Sequence, residues 1–194
     1  MNEAPFIRPQ EIAFDIDGVV ADTFRYFVDS ARVKYGCGFD YEDITEYDFR
    51  KVIEIEESVS TAIIQRALDD PIECGIQPIP GAISVLTRLA AKAPFLLFVT
   101  ARPTEPEIRS WLLHHLRDVP AEKIRLAATG TGADKRGILL ERDVSYFVED
   151  CLETGFILEK DPVTPIIFEQ PWNRKPHPFP KVATWRQLEA WLEW

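Results

Sequence analysis

Four short apolar runs punctuate the chain: Ile12 to Asp17, Phe95 to Thr100, Tyr146 to Asp150 and Ile166 to Phe168. They are apolar or aromatic nearly throughout rather than alternating, the pattern of strands buried on both faces. The first three end in polar residues, as a parallel strand does where it reaches the edge of a sheet. Lys123 to Ala127 is a weaker fifth strand, between the second and third of these runs. Residues 81 to 92, 108 to 116, 133 to 142 and 184 to 193 carry helical patterns. Ahead of the second, Thr104 and Glu107 have capping-box spacing and Pro106 suits a first turn. Trp185, Leu188, Trp191 and Leu192 recur at helical spacing and predict an inward face on the last helix. Strands alternating with helices predict an α/β fold, a doubly wound parallel sheet covered on both faces.

Residues 23 to 80 break that alternation. One helix suffices for a crossover, yet this stretch carries patterns for three, at 23 to 35, 41 to 54 and 57 to 69, with Asp40, Asp43 and Ser58 as candidate caps. The surplus predicts a helical cap inserted after the first strand, at the sheet edge where open α/β proteins bind ligands. Pro78, Pro80 and Gly81 mark the return, so the expected division is a core of 1–22 and 81–194 with a cap of 23–80.

Composition narrows the classes. A chain of 194 residues, 46% of them apolar, supports one sizeable core with a small appendage. A net charge of −10 disfavours binding of nucleic-acid polymers and of anionic membranes, so an anionic ligand would need a metal ion and a few placed cations. Cys37, Cys74 and Cys151 are an odd number without CxxC spacing, which fits a reducing cytoplasm rather than a disulfide framework. The opening MNEAPFIRPQ lacks a basic leader followed by an apolar stretch, and no apolar run approaches a membrane span, so a soluble, unprocessed chain is expected.

The chemistry gathers at strand ends. Asp15 and Asp17, two residues apart, leave the first strand on one side while Ile16 packs away, and Gly18 permits a sharp turn beyond them. Paired carboxylates repel and lose solvation, an arrangement tolerated where a divalent cation offsets it. Thr100 ends the second strand, where its hydroxyl and the amide of Ala101 can bond a phosphate oxygen. Glu149 and Asp150 end another strand and bring two more acids to the same edge, an oxygen-only set suited to Mg²⁺. Lys135 sits at a helix N-terminus, where a cation opposes the macrodipole and a functional role would explain it. His114, His115 and His177 match no metal spacing, and no neighbouring cation in sequence activates Cys151.

DIDGVVAD at 15 to 22, Thr100, Lys135 and Glu149-Asp150, in that order, resemble the four motifs of the haloacid dehalogenase-like (HAD) superfamily of aspartate-nucleophile hydrolases, and residues 23 to 80 resemble its small helical cap. The tail, Ile166 to Arg174 followed by Thr184-Trp185, is similar to the end of the 5′(3′)-deoxyribonucleotidase-like branch. Ile44-Thr45-Glu46-Tyr47-Asp48 resembles bacterial nucleotidases of that branch. Glu149 departs from the branch, which more often has a second aspartate there, and leaves open which acid of the pair contacts metal.

The resemblance implies a Mg²⁺-dependent phosphomonoester hydrolase. Asp15 would be the nucleophile forming an aspartyl-phosphate and Asp17 the acid and base, with Thr100, Ala101 and Lys135 on the phosphoryl oxygens. The metal would be held by Asp15, the carbonyl of Asp17 and Asp150 or Glu149. A nucleoside monophosphate is the implied substrate, with Phe24 the candidate face for its base. Alternatives are a phosphatase of another small metabolite and a non-catalytic phospho-accepting regulatory protein. Asp17 counts against a dehalogenase, which needs no leaving-group acid. The early DxD and the insertion count against a receiver domain. Neither the substrate nor the oligomeric state is named by the sequence.

Overall fold

The computed structural model describes residues 6–194; the first five residues of the opening segment lie outside it. Six strands form one all-parallel sheet: β1 Ile12–Phe14, β2 Leu96–Thr100, β3 Ile124–Ala128, β4 Tyr146–Glu149, β5 Thr164–Phe168 and β6 Lys181–Val182, in the order β3-β2-β1-β4-β5-β6. The order reverses between β1 and β4, and the crevice outside their C-terminal ends is where such sheets take ligands.

Helices α1 Thr23–Tyr35, α2 Glu57–Asp69, α3 Ala82–Lys92, α4 Pro106–His115, α5 Lys135–Glu141, α6 Leu152–Leu158 and α7 Trp185–Glu189 complete the chain. Alternation along the strands builds a core on each face. Phe14, Phe98 and Val148 join Trp111 and Trp185 on one side, while Ala13, Leu97, Val99 and Phe147 join Leu139 and Leu158 on the other. A third cluster, with Phe27, Val28, Ile44, Ile53, Ile63 and Trp172, lies mainly within the 23–80 segment. No described helix is long and apolar enough to cross a membrane.

Several expectations are corrected. The helix expected over 41–54 is absent; two 3-10 turns, Tyr41–Asp43 and Phe49–Lys51, stand there. Ile44 and Ile53 are both buried, and nine residues at about 100° each would set them on opposite faces of an α-helix, so one helix could not bury both. Asp43 accepts from the Asp40 backbone N–H at 2.8 Å, which favours the turn. Thr104 does not cap α4, whose N-cap is Glu105; its hydroxyl bonds the Glu107 side chain instead, at 3.0 Å. Ser58 lies inside α2, whose N-cap is Glu56. α7 stops at Glu189 because the chain beyond it pairs with Ile7, which donates to the Trp191 carbonyl at 2.8 Å. α6, interrupted by Gly155, and the two-residue β6 carry too little periodicity to be read in advance.

Candidate active site

β1 ends at Phe14, and Asp15 continues its line by donating its N–H to the Val148 carbonyl at 2.9 Å. The chain then turns tightly. The N–H groups of Val19, Val20 and Ala21 converge on the Ile16 carbonyl, and Gly18 takes φ +78°. A Cβ at Gly18 would overlap Asp150 Oδ2 and lie 2.8 Å from its Cγ, so glycine serves both the left-handed conformation and the approach of β4. The turn sends the two aspartates to different partners.

Asp15, 2% exposed, meets the acids of β4 and the lysine of α5. Lys135 Nζ lies between two carboxylates, 2.9 Å from Asp15 Oδ1 and donating to Glu149 Oε2 at 2.9 Å. Glu149 Oε1 accepts the N–H groups of Asp150 and Cys151, at 3.1 and 3.0 Å, so both its oxygens are engaged. Asp150 Oδ2 accepts from Trp172 Nε1 at 3.1 Å, and Asn173 Nδ2 holds the Asp150 carbonyl at 2.8 Å. Gln170 Nε2 fastens the Gly18 carbonyl at 2.7 Å. The tail singled out in sequence therefore frames the site.

Oδ1 of Asp150 is buried without a hydrogen-bond partner, a costly state for a carboxylate oxygen, and the one charge at Asp15 Oδ1 is the Lys135 ammonium. Asp15, Glu149 and Asp150 each present an oxygen within 4.8 Å of the others. Three carboxylates around one lysine, with an unpartnered oxygen on Asp150, fit a divalent cation such as Mg²⁺, and of the β4 pair only Asp150 has an oxygen to spare. Burial pushes Asp15 up to about 7 against the pull of Lys135, with Glu149 and Asp17 adding to the rise. Asp150 is also raised, by burial first and then by Glu149 and Asp15. Burial works against the Lys135 charge, yet Asp15 and Glu149 hold it above its ordinary value.

Asp17 faces the other way. Arg102 forks onto it, Nε to Oδ2 at 2.9 Å and Nη2 to Oδ1 at 2.8 Å, while the Thr23 hydroxyl donates to Oδ1 at 2.5 Å. Burial alone would raise Asp17, but the Arg102 charge and hydrogen bonds, helped by Thr23, bring it below the usual aspartate value. The Thr100 hydroxyl accepts the Arg102 N–H at 3.2 Å, which leaves its own hydrogen free to donate.

A cavity of about 250 Å³ opens beside Asp17 and Ala101, walled by Tyr26, Phe27, Ile64 and Leu68 of α1 and α2, together with Tyr47. Phe24 lies instead against Trp172, ring centroids 4.0 Å apart, and 6.0 Å from Tyr47. Arg102, Trp172 and Gln170 make contacts at the site that sequence reasoning did not assign. Arg102 directly follows Thr100-Ala101, but its partners come from remote turns. Cys151 is buried and pushed up to about 12, chiefly by burial, which disfavours a thiolate. His115 packs on Trp111 with ring centroids 4.5 Å apart.

A parallel sheet with acids from β1 and β4, a threonine from β2 and a lysine from α5 at one edge is the architecture of HAD-superfamily hydrolases. Solved structures share this fold. A haloacid dehalogenase-like hydrolase from Streptococcus pneumoniae aligns with TM-score 0.59 and 15% identity over 93% of this chain and 96% of its own. A HAD family hydrolase from Deinococcus radiodurans, solved with bound phosphate and sodium, aligns with TM-score 0.57 and 14% identity over 96% and 94%. One from Ehrlichia chaffeensis aligns with TM-score 0.52 and 13% identity over 94% and 95%. At such identities the likeness is one of fold. No curated protein matches the sequence at a significant level. The family model "5' nucleotidase, deoxy (Pyrimidine), cytosolic type C protein" matches residues 8–192, and the chain belongs to that family. It is a hydrolase of the phosphatase and nucleotidase kind.

Proposed function

We propose that this protein is a Mg²⁺-dependent phosphatase of nucleoside monophosphates that works through an aspartyl-phosphate on Asp15. The observation that carries this reading is the buried cluster of Asp15, Glu149 and Asp150 oxygens around a single lysine, with Asp150 Oδ1 left unpartnered. Magnesium held by Asp15, Asp150 and the carbonyl of Asp17 would offset the repulsion between a carboxylate nucleophile and an anionic phosphate. Glu149, with both oxygens engaged, acts by fixing Lys135.

The Asp15 carboxylate attacks phosphorus in line, the ester oxygen leaves with a proton from Asp17, and the phosphoryl group stays on Asp15. Asp17 then takes a proton from water as that water displaces the phosphate. The phosphoryl oxygens rest on the Thr100 hydroxyl, the Ala101 amide and Lys135, placed where charge redistributes. Arg102 favours the ionised Asp17 that the second half requires; a dianionic phosphate drawn in beside it raises the proton affinity that the first half requires.

In this reading 23–80 is the cap over a core of 1–22 and 81–194, and the apolar cavity between α1, α2 and Asp17 takes the flat face of a base. A panel of nucleoside, sugar and amino-acid phosphates assayed with Mg²⁺ and with excess EDTA tests it. Preference for nucleotides and silence in EDTA are expected. A clear preference for a sugar phosphate would remove the nucleotide assignment, and full turnover in EDTA would remove the metal.

A further inference from the structure

The Arg102 guanidinium is 5% exposed and held on two sides by different parts of the chain. Its fork spans both oxygens of Asp17, from the turn after β1, while Nη1 donates to the Ala67 carbonyl of α2 at 3.1 Å. Ala67 lies in the last turn of α2, where helix carbonyls have no intrahelical partner and the macrodipole favours a cation. The backbone of Arg102 is fixed too, its N–H on Thr100 Oγ1 at 3.2 Å and its carbonyl accepting from Gly130 at 3.1 Å. One residue at the end of β2 thus joins Asp17 to the 23–80 segment.

The geometry points to Arg102 as a positioning residue that orients the Asp17 carboxylate and ties that orientation to the seating of α2. The inference rests on the reading of Asp17 as acid and base. A fork fixes two oxygens in one plane while its third nitrogen reaches a carbonyl. Lysine, a point charge on a flexible stem, can neutralise Asp17 but cannot do both. Thr23 on Oδ1 completes the orientation. The ion pair therefore serves proton delivery to the leaving group as well as cohesion.

The test compares a nucleoside monophosphate, whose leaving alcohol needs a proton, with p-nitrophenyl phosphate, whose leaving group hardly does. Arg102→Lys and Arg102→Gln are assayed alone and combined with Asp17→Asn. A positioning role predicts that kcat for the nucleotide falls about a hundredfold with KM little changed, while p-nitrophenyl phosphate loses under about tenfold. Added to Asp17→Asn, either variant should then cost less than about threefold more, because the two act as one unit. Equal losses on both esters, or losses that multiply with Asp17→Asn, overturn the proposal. The ratio is read on whichever variant keeps the wild-type circular dichroism, and collapse of both marks a purely structural ion pair and overturns it too. If Asp17→Asn itself spares neither ester, the reading of Asp17 fails instead.

Discussion

The two sides of the Asp15–Asp17 turn are built on opposite principles. Towards β4 the groups are polar and buried: Lys135, Glu149 and Asp150 are at most 2% exposed, Lys135 lies between two carboxylates, and Asp150 keeps one oxygen unpartnered. Towards α1 and α2 the wall is aromatic and aliphatic, half-open, with polar contacts concentrated on Asp17 and Arg102. The first side tolerates almost no change in atom positions, since each charge there is stabilised by a partner whose loss leaves it buried alone. The second tolerates reshaping, since apolar surfaces are non-directional. In the proposed reading, chemistry belongs to the sheet edge and choice of substrate to the segment packed over it.

The sharpest break of that division is Asp15→Asn. An amide is a poor nucleophile and a poor metal ligand, so phosphate release should drop to background, by about a thousandfold or more, in a folded protein. Surviving turnover would move the chemistry off the sheet edge. Gly18→Ala comes next. It imposes a left-handed residue and a clash with Asp150, for about 1–3 kcal/mol of lost stability by urea unfolding together with most of the Mg²⁺ response. A fully active Gly18→Ala would show that the polar side yields more than its packing implies.

A third test uses protons. Asp15 has its folded pKa raised to about 7 from an ordinary 3.8, so in metal-free protein its contribution to stability is full below the unfolded value and lost as pH rises through about 7. Asp17 is shifted downward, so its contribution falls away only in acid below the ordinary aspartate range. Magnesium competes with the proton on Asp15, and the rise in Tm on adding it should be small near about pH 6 and grow towards about pH 8. A rise independent of pH would place the metal elsewhere. The mildest change is Leu68→Ala in the cavity wall, expected to raise KM for the nucleotide about tenfold with little effect on p-nitrophenyl phosphate. Phe24→Ala should act more weakly on that KM, because its ring is already stacked on Trp172.

The same contrast decides what was legible in the chain. Buried parallel strands are continuous apolar runs, so β2 and β4 stand out to within one residue and β1 starts where expected but ends three residues earlier, at the DxDG turn that is itself a local signal. Lys135 and Glu149 stand out in sequence as a phosphate cation and a candidate metal ligand, but their mutual pairing shows only in three dimensions. The 41–54 stretch misled because its apolar residues bury towards different neighbours without a helical period, and local pattern cannot reveal that. Arg102 and Trp172 carry no legible signal in sequence because their partners are remote atoms, the Ala67 carbonyl and the Asp150 carboxylate. Such contacts leave no periodic trace.

Gln170, Trp172 and Asn173 hold the turn after β1 and the end of β4 from the far end of the chain, and β1 itself pairs with strands made much later. During synthesis Asp15 emerges early, but its surroundings are complete only once residue 173 has cleared the ribosome. Pairings so distant along the chain form late and slowly. Translation that halts after α5 therefore yields a fragment that has Asp15, Asp17 and Lys135 but lacks the Asp150, Gln170, Trp172 and Asn173 contacts around them.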